Sequence, residues 1–235
     1  MEDVGATWQV RVVDSTGSTN TDLLVAAAAG APDRSVLVAR HQTAGRGRLD
    51  RTWEAQPGAN LLVSILFRRV PAHPHELTQR VALAAARAIE RTTGVHAVLK
   101  WPNDLLVVTD GAAHKLAGVL AQAGAADGRV DHVVVGIGVN VGWAPIGGID
   151  LGGRVAPLAL LDALLAEYDA LPDDVYPAYR ERLATLGQLV RVQSHTGELV
   201  GRALDVGRDG RLVVLDDCAI SHTVDTGDVI HLRPA

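Results

Sequence analysis

Cysteine and the other residues that build metal or nucleophilic centres are scarce in this sequence of 235 residues. The single cysteine, Cys218, excludes an internal disulfide and a metal site built from several cysteines. Nine histidines are present without ligand spacing, and His73 and His75 are interpreted as residues of a loop that precedes a helix. A Gly-x-Ser-x-Gly motif is absent, so hydrolase chemistry of that kind has no support.

Long apolar runs and an excess of positive charge are also lacking. The longest uncharged stretch, 133–149, contains five glycines, an asparagine and a proline, which disqualifies it as a membrane span. The 22 basic and 27 acidic residues give a net charge of −5, the wrong sign for a surface built to hold nucleic acid. Because the acidic segment 1–5 precedes no apolar region, we expect no secretory signal and a cytoplasmic location.

Lysine and asparagine are rare enough that each one is a candidate functional residue. Only two of the 22 basic residues are lysines, Lys100 and Lys115; the others are arginines. A composition biased towards arginine would replace lysine wherever any positive charge suffices, so we interpret these lysines as positions that need a compact point charge. The four asparagines fall in the same few short segments as the lysines and are Asn20, Asn60, Asn103 and Asn140.

Hydrophobic periodicity predicts an α/β (α+β) fold in which a mixed or antiparallel sheet is combined with helices. The first helix is predicted to begin at Ser18 or Thr19, with Asp22 in a capping-box-like position. The other helices are predicted at 75–92, 158–170 and 175–186. The strands are predicted at 8–13, 35–40, 60–67, 98–100, 105–108, 116–121 and 132–139. The segment 41–58 has no apolar periodicity and is predicted to be a long functional loop.

The periodicity changes after residue 187. Five short strands with a spacing of about ten residues predict a small barrel. They are expected at 189–192, 199–204, 212–215, 220–224 and 229–232. We therefore expect two domains, a catalytic one over 1–186 and a barrel over 187–235.

Two polar motifs are candidates for chemistry. In the segment from Gln42 to Trp53, three arginines alternate with glycines and can close around an anion, although a solvated basic loop or an RNA-type Gly-Arg segment is an alternative. The run from Lys100 to Asp104 ends a strand in a sharp turn at a proline, and Lys115 follows eleven residues after Asp104. Asp104 either holds a magnesium ion or orients Lys115, unless the segment is a simple turn with a salt bridge.

A third motif, from Gly136 to Asn140, places Gly-x-Gly at the end of a strand. It lacks the third glycine and the helix of a dinucleotide-binding fingerprint, so a Rossmann domain is excluded.

Taken together, the motifs resemble those of biotin protein ligases. Six segments occur in the order and approximate spacing of that family within residues 8–141: 18–20, 42–53, 57–61, 100–104, 115–118 and 136–140. The resemblance implies an α/β domain related to class II aminoacyl-tRNA synthetases, followed by an SH3-like β-barrel. It also implies a two-step reaction with Mg²⁺ in which biotin and ATP form biotinyl-5′-AMP. The biotinyl group then passes to one lysine of a biotin carboxyl carrier protein or domain of an acyl-CoA carboxylase.

The same resemblance assigns roles to individual residues. The catalytic residues would be Lys115, Arg48 and Asp104, and Asp104 would also be the magnesium ligand. Biotin would be bound by Ser18, Thr19, Asn20, Gln42, Gly45, Arg46, Gly47, Arg48, Lys115 and Gly118. ATP would be bound by Arg48, Arg51, Trp53, Lys100, Asn103, Asp104, Lys115 and Asn140.

Two departures from the family pattern matter. The Ser-Thr-Asn motif has two candidate registers, 14–16 and 18–20, and the second is preferred because it retains Asn20. Only seventeen residues precede Ser18. A helix-turn-helix needs two helices of about 11 residues each and a turn. We therefore expect the short form without the DNA-binding repressor domain, a monomer or weak homodimer with no DNA or membrane partner.

Two rival functions remain. A lipoate ligase shares the adenylate chemistry but lacks the full Gly-Arg-Gly-Arg-x-x-Arg loop found at 45–51. A non-catalytic biotin-binding or sensor module is less compatible with the retention of Lys115, Asp104 and Asn140.

Overall fold

A mixed seven-stranded sheet forms the centre of the first two thirds of the chain. The computed structural model describes residues 7–126, 128–194, 197–225 and 227–232. The strands are β1 (Gln9–Thr16), β2 (Ser35–Gln42), β3 (Leu61–Phe67), β4 (Val98–Lys100), β5 (Asp104–Thr109), β6 (Ala112–Ala126) and β7 (Arg129–Val139). Their order is β1-β2-β3-β7-β6-β5-β4. Only the β1–β2 pair among them is parallel, so the predicted mixed sheet is confirmed.

Helices cover both faces of this sheet. They are α1 (Thr19–Ala28), α2 (His75–Thr93), α3 (Pro157–Asp169) and α4 (Tyr176–Arg182). On one face, Leu23 of α1 packs against Leu37, Leu66 and Val134 of three strands. The opposite face packs against α2 and α3, where alanines allow close approach. Each fully buried Leu or Val in these layers stabilises the fold by roughly 1.5–3 kcal/mol. No helix within the described ranges is long and apolar enough to cross a membrane.

Two local predictions were wrong. The predicted capping box does not form, because β1 continues to Thr16 and the Thr16 hydroxyl bonds the Asp22 carboxylate instead. The predicted helix over 175–186 ends at Arg182, because Leu183 turns extended and pairs with Leu99 of β4.

The five strands predicted after residue 187 form a second, antiparallel sheet. They are β8 (Leu189–Ser194), β9 (Gly197–Val206), β10 (Leu212–Leu215), β11 (Ser221–Val224) and β12 (Asp228–His231), in the order β11-β10-β9-β8-β12. This sheet is compatible with an SH3-like domain. The described residues show no pairing between β11 and β12, so the sheet is open rather than a closed barrel.

The second sheet packs directly on the first unit. Val190, Ala203 and Leu212 belong to the same continuous core as the residues under α2. The Trp101 indole Nε1 donates to Gly210 O at 2.8 Å, and Trp101 N donates to Thr185 Oγ1 at 2.9 Å. These contacts tie the turn between β9 and β10, and the segment before β8, to the residue that follows β4.

Candidate active site

A pocket lies on the face of the sheet that α1 partly covers, where three strands carry small residues. Ser64 of β3 lies opposite Gly136 of β7, and Gly136 lies opposite Leu120 of β6. The next row across the sheet runs through Leu62, Gly138, Gly118 and Asp104. Because these rows contain three glycines and a serine, the sheet surface leaves a cleft above the three strands.

Most of the predicted site residues line this cleft. They are Ser18, Thr19, Asn20, Gln42, Arg46, Gly47, Trp53, Asn103, Lys115 and Gly118. Gly45, Arg48, Arg51, Lys100, Asp104 and Asn140 do not line it. Of the two registers of the Ser-Thr-Asn motif, the structure places 18–20 in the cleft, whereas Asp14 and Ser15 are exposed on β1.

Uncharged polar groups gather at one end of the cleft, at the start of α1. Gln42 Oε1 accepts from Thr19 N at 2.8 Å and lies 3.0 Å from Thr19 Oγ1. Asn20 Nδ2 donates to Leu120 O at 3.1 Å and to Gln122 Oε1 at 3.0 Å. These groups can bind a neutral, hydrogen-bonding ring.

A charged pair, Lys115 and Asp104, lies at the other end of the cleft. Lys115 Nζ lies 2.7 Å from Asp104 Oδ1, in an ion pair that is not aligned as a hydrogen bond. The same ammonium lies 5.5 Å from the centre of the Trp53 ring, within cation–π range. Of the two roles predicted for Asp104, the geometry therefore favours the orientation of Lys115.

Asn140 ties the backbone of Lys115 to the glycine-rich loop 142–156, which connects β7 to α3. Asn140 Nδ2 donates to Ile149 O at 3.1 Å and to Lys115 O at 3.4 Å, and the side chain is buried. Ile149 N donates to Lys115 O at 3.0 Å. Asn140 thus contacts the protein backbone here, and its part in ATP binding stays a prediction.

The Gly-Arg loop is folded over the cleft. Gly47 N donates to Arg51 O at 2.6 Å, and Trp53 N donates to Gly45 O at 2.9 Å. A Cβ at Gly45 would lie 2.5 Å from Trp53 O, so this turn requires glycine. Glycine is therefore needed here for close approach of two backbone segments.

Two of the three arginines of the loop, Arg48 and Arg51, reach across to the second sheet. Arg48 Nη1 donates to Asn103 Oδ1 and to Gly227 O, both at 3.3 Å, and Arg51 pairs with the Asp228 carboxylate. Burial lowers the pKa of Arg48, and the Asp228 and Asp104 carboxylates partly offset that effect.

Trp53 lies on the floor of the cleft. A Cβ at Gly138 would lie 2.4 Å from the indole, and one at Gly118 would lie 3.0 Å from it. The two glycines therefore make the platform on which the indole rests. Trp53 Nε1 is buried and has no hydrogen-bond partner among the described residues.

Lys100, the other lysine, is the last residue of β4 and does not line the cleft. The pKa of Lys100 is lowered, mainly by burial. The Asp104 carboxylate opposes this shift, and the Lys115 ammonium adds to it.

The described residues that line the cleft do not form a set of ligands for Mg²⁺ by themselves. The residues lining the cleft include no carboxylate, and Asp104 beside it faces Lys115. Mg²⁺ in proteins is commonly held by one or two carboxylates together with substrate phosphates. Asp104 fits that pattern only together with a bound nucleotide, so the magnesium role stays a prediction.

Sequence reasoning missed four residues that shape the cleft: Ser64, Gln122, Gly136 and Gly138. The Gly-x-Gly of β7 was noted as a failed dinucleotide motif and as part of the segment 136–140 that carries the family resemblance, but its two glycines were given no role. A signal was present, since small residues at alternate positions of a buried strand indicate a face on which something else lies.

The chain matches known families and structures. A model described as the Biotin/lipoate A/B protein ligase family matches residues 12–140. A biotin–acetyl-CoA-carboxylase ligase of Mycobacterium tuberculosis is 38% identical over 254 residues, which cover 97% of this chain and 91% of the relative. The bifunctional ligase/repressor BirA of Escherichia coli is 26% identical, over 99% of this chain and 76% of the relative.

Solved structures share the fold. A biotin protein ligase from Aquifex aeolicus superposes with a TM-score of 0.75 at 19% identity, covering 95% of this chain and 99% of the other. The structure of that enzyme in complex with biotin and ATP gives a TM-score of 0.72 at 23% identity, covering 96% and 99%.

Proposed function

This chain belongs to the biotin/lipoate protein ligase family, and on that premise we propose that it attaches biotin to one lysine of a biotin carboxyl carrier protein. In the first step the biotin carboxylate attacks the α-phosphorus of ATP, which forms biotinyl-5′-AMP and releases diphosphate. In the second step the neutral amine of the carrier lysine attacks the biotinyl carbonyl carbon. An amide forms and AMP leaves.

One observation carries the proposal: the cleft has a neutral polar end and a cationic end. Thr19 and Gln42 at one end suit the ureido ring of biotin, and the Lys115 ammonium at the other suits its carboxylate. Between the two ends the cleft runs beside the Trp53 indole, which rests on Gly118 and Gly138. A ligand with a hydrogen-bonding ring and a carboxylate on a flexible stem fits this arrangement.

The cation at the junction has a chemical reason. A carboxylate that attacks an anionic phosphate is repelled by about 4 kcal/mol at about 4 Å and an effective dielectric near 20. Lys115, held by Asp104, would neutralise that repulsion, and it would stabilise the charge on the leaving AMP in the second step. Positioning and electrostatics then supply the acceleration without a protein nucleophile.

The ATP side would be formed by residues around the cationic end of the cleft. Arg48 and Arg51 would exchange Gly227 O and Asp228 for phosphate oxygens, and Trp53, Lys100, Asn103 and Asn140 would support the nucleotide. Mg²⁺, held by Asp104 and phosphate oxygens, would neutralise the leaving diphosphate. The closed Gly-Arg loop would exclude water from the hydrolysable mixed anhydride.

We extend the proposal to organisation and partners. Residues 1–186 would form the catalytic domain and 187–235 the SH3-like domain. The partner would be a carrier protein or domain of an acyl-CoA carboxylase, in the cytoplasm. The chain would act as a monomer or weak homodimer without DNA or membrane binding.

Diphosphate release with biotin and ATP tests the proposal, combined with detection of biotinyl-5′-AMP by mass spectrometry. We expect both products with biotin and neither with lipoate. Activity with lipoate alone would assign the chain to the lipoate branch. Biotin binding without diphosphate release would make it a non-catalytic biotin-binding module.

A further inference from the structure

A second concavity, which we call the side groove, opens beside the active-site cleft. Its volume is about 450 Å³, a size typical of ligand pockets. It is lined by residues 46–50 of the Gly-Arg loop, the first two turns of α2, residues 119–122 of β6, Tyr179 of α4 and the turn at 209–210. Arg46, Gly47 and Asn103 line the cleft and the side groove alike. A ligand in the side groove can therefore reach into the cleft.

Gln79 of α2 is the unusual residue of this groove. Only 5% of its surface is exposed, although it carries an amide among the apolar residues of the helix. The amide has no hydrogen-bond partner among the described residues, and neither of its polar atoms is completely enclosed, so it faces the groove. A buried amide without a partner costs free energy of folding. A ligand in the groove would supply the missing partner.

The hydroxyl of Tyr179 is a second neutral polar group in the same groove. Tyr179 is 4% exposed, and its hydroxyl has no partner within the part of the chain that the structure describes. Burial raises the pKa of this hydroxyl, so it stays uncharged. Gln79 and Tyr179 therefore offer hydrogen-bond donors and acceptors without charge. Groups of this kind suit the C=O and N–H groups of a peptide backbone.

The charges of the side groove indicate which ligand would enter it. Asp50 and Asp225 are exposed and Asp209 is partly exposed, so three carboxylates lie at the rim. Asp209 and Asp225 share a single arginine as their ion-pair partner, which leaves the rim negative. Arg46 and Arg48 lie where the groove meets the cleft. A negative rim repels a triphosphate and attracts a segment that presents an amine.

We propose that the side groove binds the backbone of the carrier segment that bears the acceptor lysine, with Gln79 and Tyr179 as its hydrogen-bonding residues. The inference rests on the proposed function, because that lysine has to reach the biotinyl carbonyl carbon in the cleft. Asn103 marks the path, since it lines both concavities and precedes Asp104, the partner of Lys115. Gln79 and Tyr179 then act on the choice of carrier and not on formation of the adenylate.

The test measures the two steps separately on the full chain. Formation of biotinyl-5′-AMP is followed with biotin and ATP alone, and transfer is followed at increasing concentrations of a biotin carboxyl carrier domain. Gln79→Met keeps the size of the side chain and removes the amide. We expect adenylate formation at the parent rate, an unchanged kcat for transfer and a KM for the carrier that is about tenfold higher. Tyr179→Phe should raise the same KM by a smaller factor.

Thermal unfolding and a control variant separate this role from packing. Since Gln79→Met replaces an unpartnered amide by an apolar group of similar shape, it should unfold at the temperature of the parent or above it. Gln188→Met changes an exposed glutamine that lines neither the cleft nor the side groove. This control should leave both steps as they are in the parent.

The inference is wrong if Gln79→Met and Gln188→Met have the same KM for the carrier. It is also wrong if the higher KM of Gln79→Met comes with a lower unfolding temperature, which would assign Gln79 to packing. Slower adenylate formation with an unchanged KM would assign the groove to ATP, and a change only in the oligomeric state, measured by light scattering, would assign it to a second copy.

Two further outcomes have a defined meaning. If Gln79→Met does not fold, Tyr179→Phe decides, and a parent-like KM then rejects the inference. If the parent forms no biotinyl-5′-AMP, the proposed function itself fails. A parent that modifies the carrier, with both variants unchanged, rejects only the role of the side groove.

Discussion

Lys115 places a compact positive charge in the site and is itself half-exposed. Its ammonium is a compact charge 2.7 Å from Asp104, and its side chain is 42% exposed. An exposed ion pair of this kind contributes only about 0–1 kcal/mol to stability. Substitution at Lys115 should therefore affect the chemistry without unfolding the chain.

Lys115→Ala should reduce adenylate formation at least hundredfold, because it removes the cation from the junction of carboxylate and phosphate. Lys115→Arg should also fail, since the planar guanidinium cannot occupy the same point. The rates are measured as diphosphate release with biotin and ATP, with thermal unfolding as the control for folding. Near-parent turnover by either variant would remove Lys115 from the mechanism.

The floor of the cleft gives a second prediction. Gly138→Ala places a Cβ 2.4 Å from the Trp53 indole, so the ring must leave the floor and biotin should bind more than about tenfold more weakly. Gly142→Ala is the matched control, since its Cβ meets only Ala59 O at 3.4 Å. Calorimetric titration with biotin compares the two; equal affinities would show that the glycine platform is not part of the binding site.

Some residues of the site could be predicted from the sequence and others could not. Lys115 and Asp104 stand out because lysine is rare here and because a Trp-Pro turn precedes Asp104. Ser64 and Gln122 are ordinary residues within strands. They meet Asn20 only through the register of β3, β7 and β6, which a single sequence does not specify.

At the scale of elements, the Gly-Arg loop is held by contacts with the second sheet. Arg48 and Arg51 bond Gly227 O and Asp228 at the start of β12, so a ligand phosphate has to compete with these groups. The loop was predicted to be functional because it lacks apolar periodicity. Its tie to residues about 180 positions away could not be predicted from local sequence.

Arg48→Gly should leave adenylate synthesis largely possible, since Lys115 remains, but should speed release of the intermediate. The loss of one charge-assisted hydrogen bond, about 1.5–3 kcal/mol, corresponds to roughly ten- to a hundred-fold faster release. Escaped adenylate would acylate exposed lysines of unrelated proteins. The measurement is biotin incorporation into a non-substrate protein. Labelling at the parent level, with adenylate still formed, would reassign Arg48 to ATP positioning.

Hydrogen exchange should reveal the two loops as the segments that respond to ligand. Residues 41–58 and 143–153 are rich in glycine, and Leu151 is their only buried apolar side chain, so we expect strong protection away from Leu151 when biotin and ATP are added. The buried strand β3 serves as the internal reference. Equal exchange at both loops with and without ligand would show that neither closes over the site.

The presence of the helices and strands was predicted more accurately than the residues at which they begin and end. The strands and helices of the first unit appear where the apolar periodicity placed them. Helix α1 begins at Thr19 as predicted, although Asp22 bonds Thr16 of β1 instead of capping the helix. Helix α4 ends earlier than predicted, because Leu183 pairs with Leu99 of β4. Such tertiary partners decide helix ends more strongly than local sequence signals do.

On the scale of the whole molecule, the two sheets share one core and meet beside the Gly-Arg loop. The change of period after residue 187 predicted the second sheet. The sequence did not reveal that this sheet would supply Gly227 and Asp228 to the loop. The second unit is therefore placed to influence how the loop opens and closes.

The most direct test of the account is transfer of biotin to a carrier by this protein. The full chain is incubated with biotin, ATP, Mg²⁺ and a biotin carboxyl carrier domain, and the intact mass of the carrier is measured. The account predicts the addition of one biotinyl group to the parent carrier. It predicts none when the target lysine of the carrier is replaced by arginine, and none with Lys115→Ala. An unmodified carrier, with no biotinyl-5′-AMP formed although biotin binds, would contradict it.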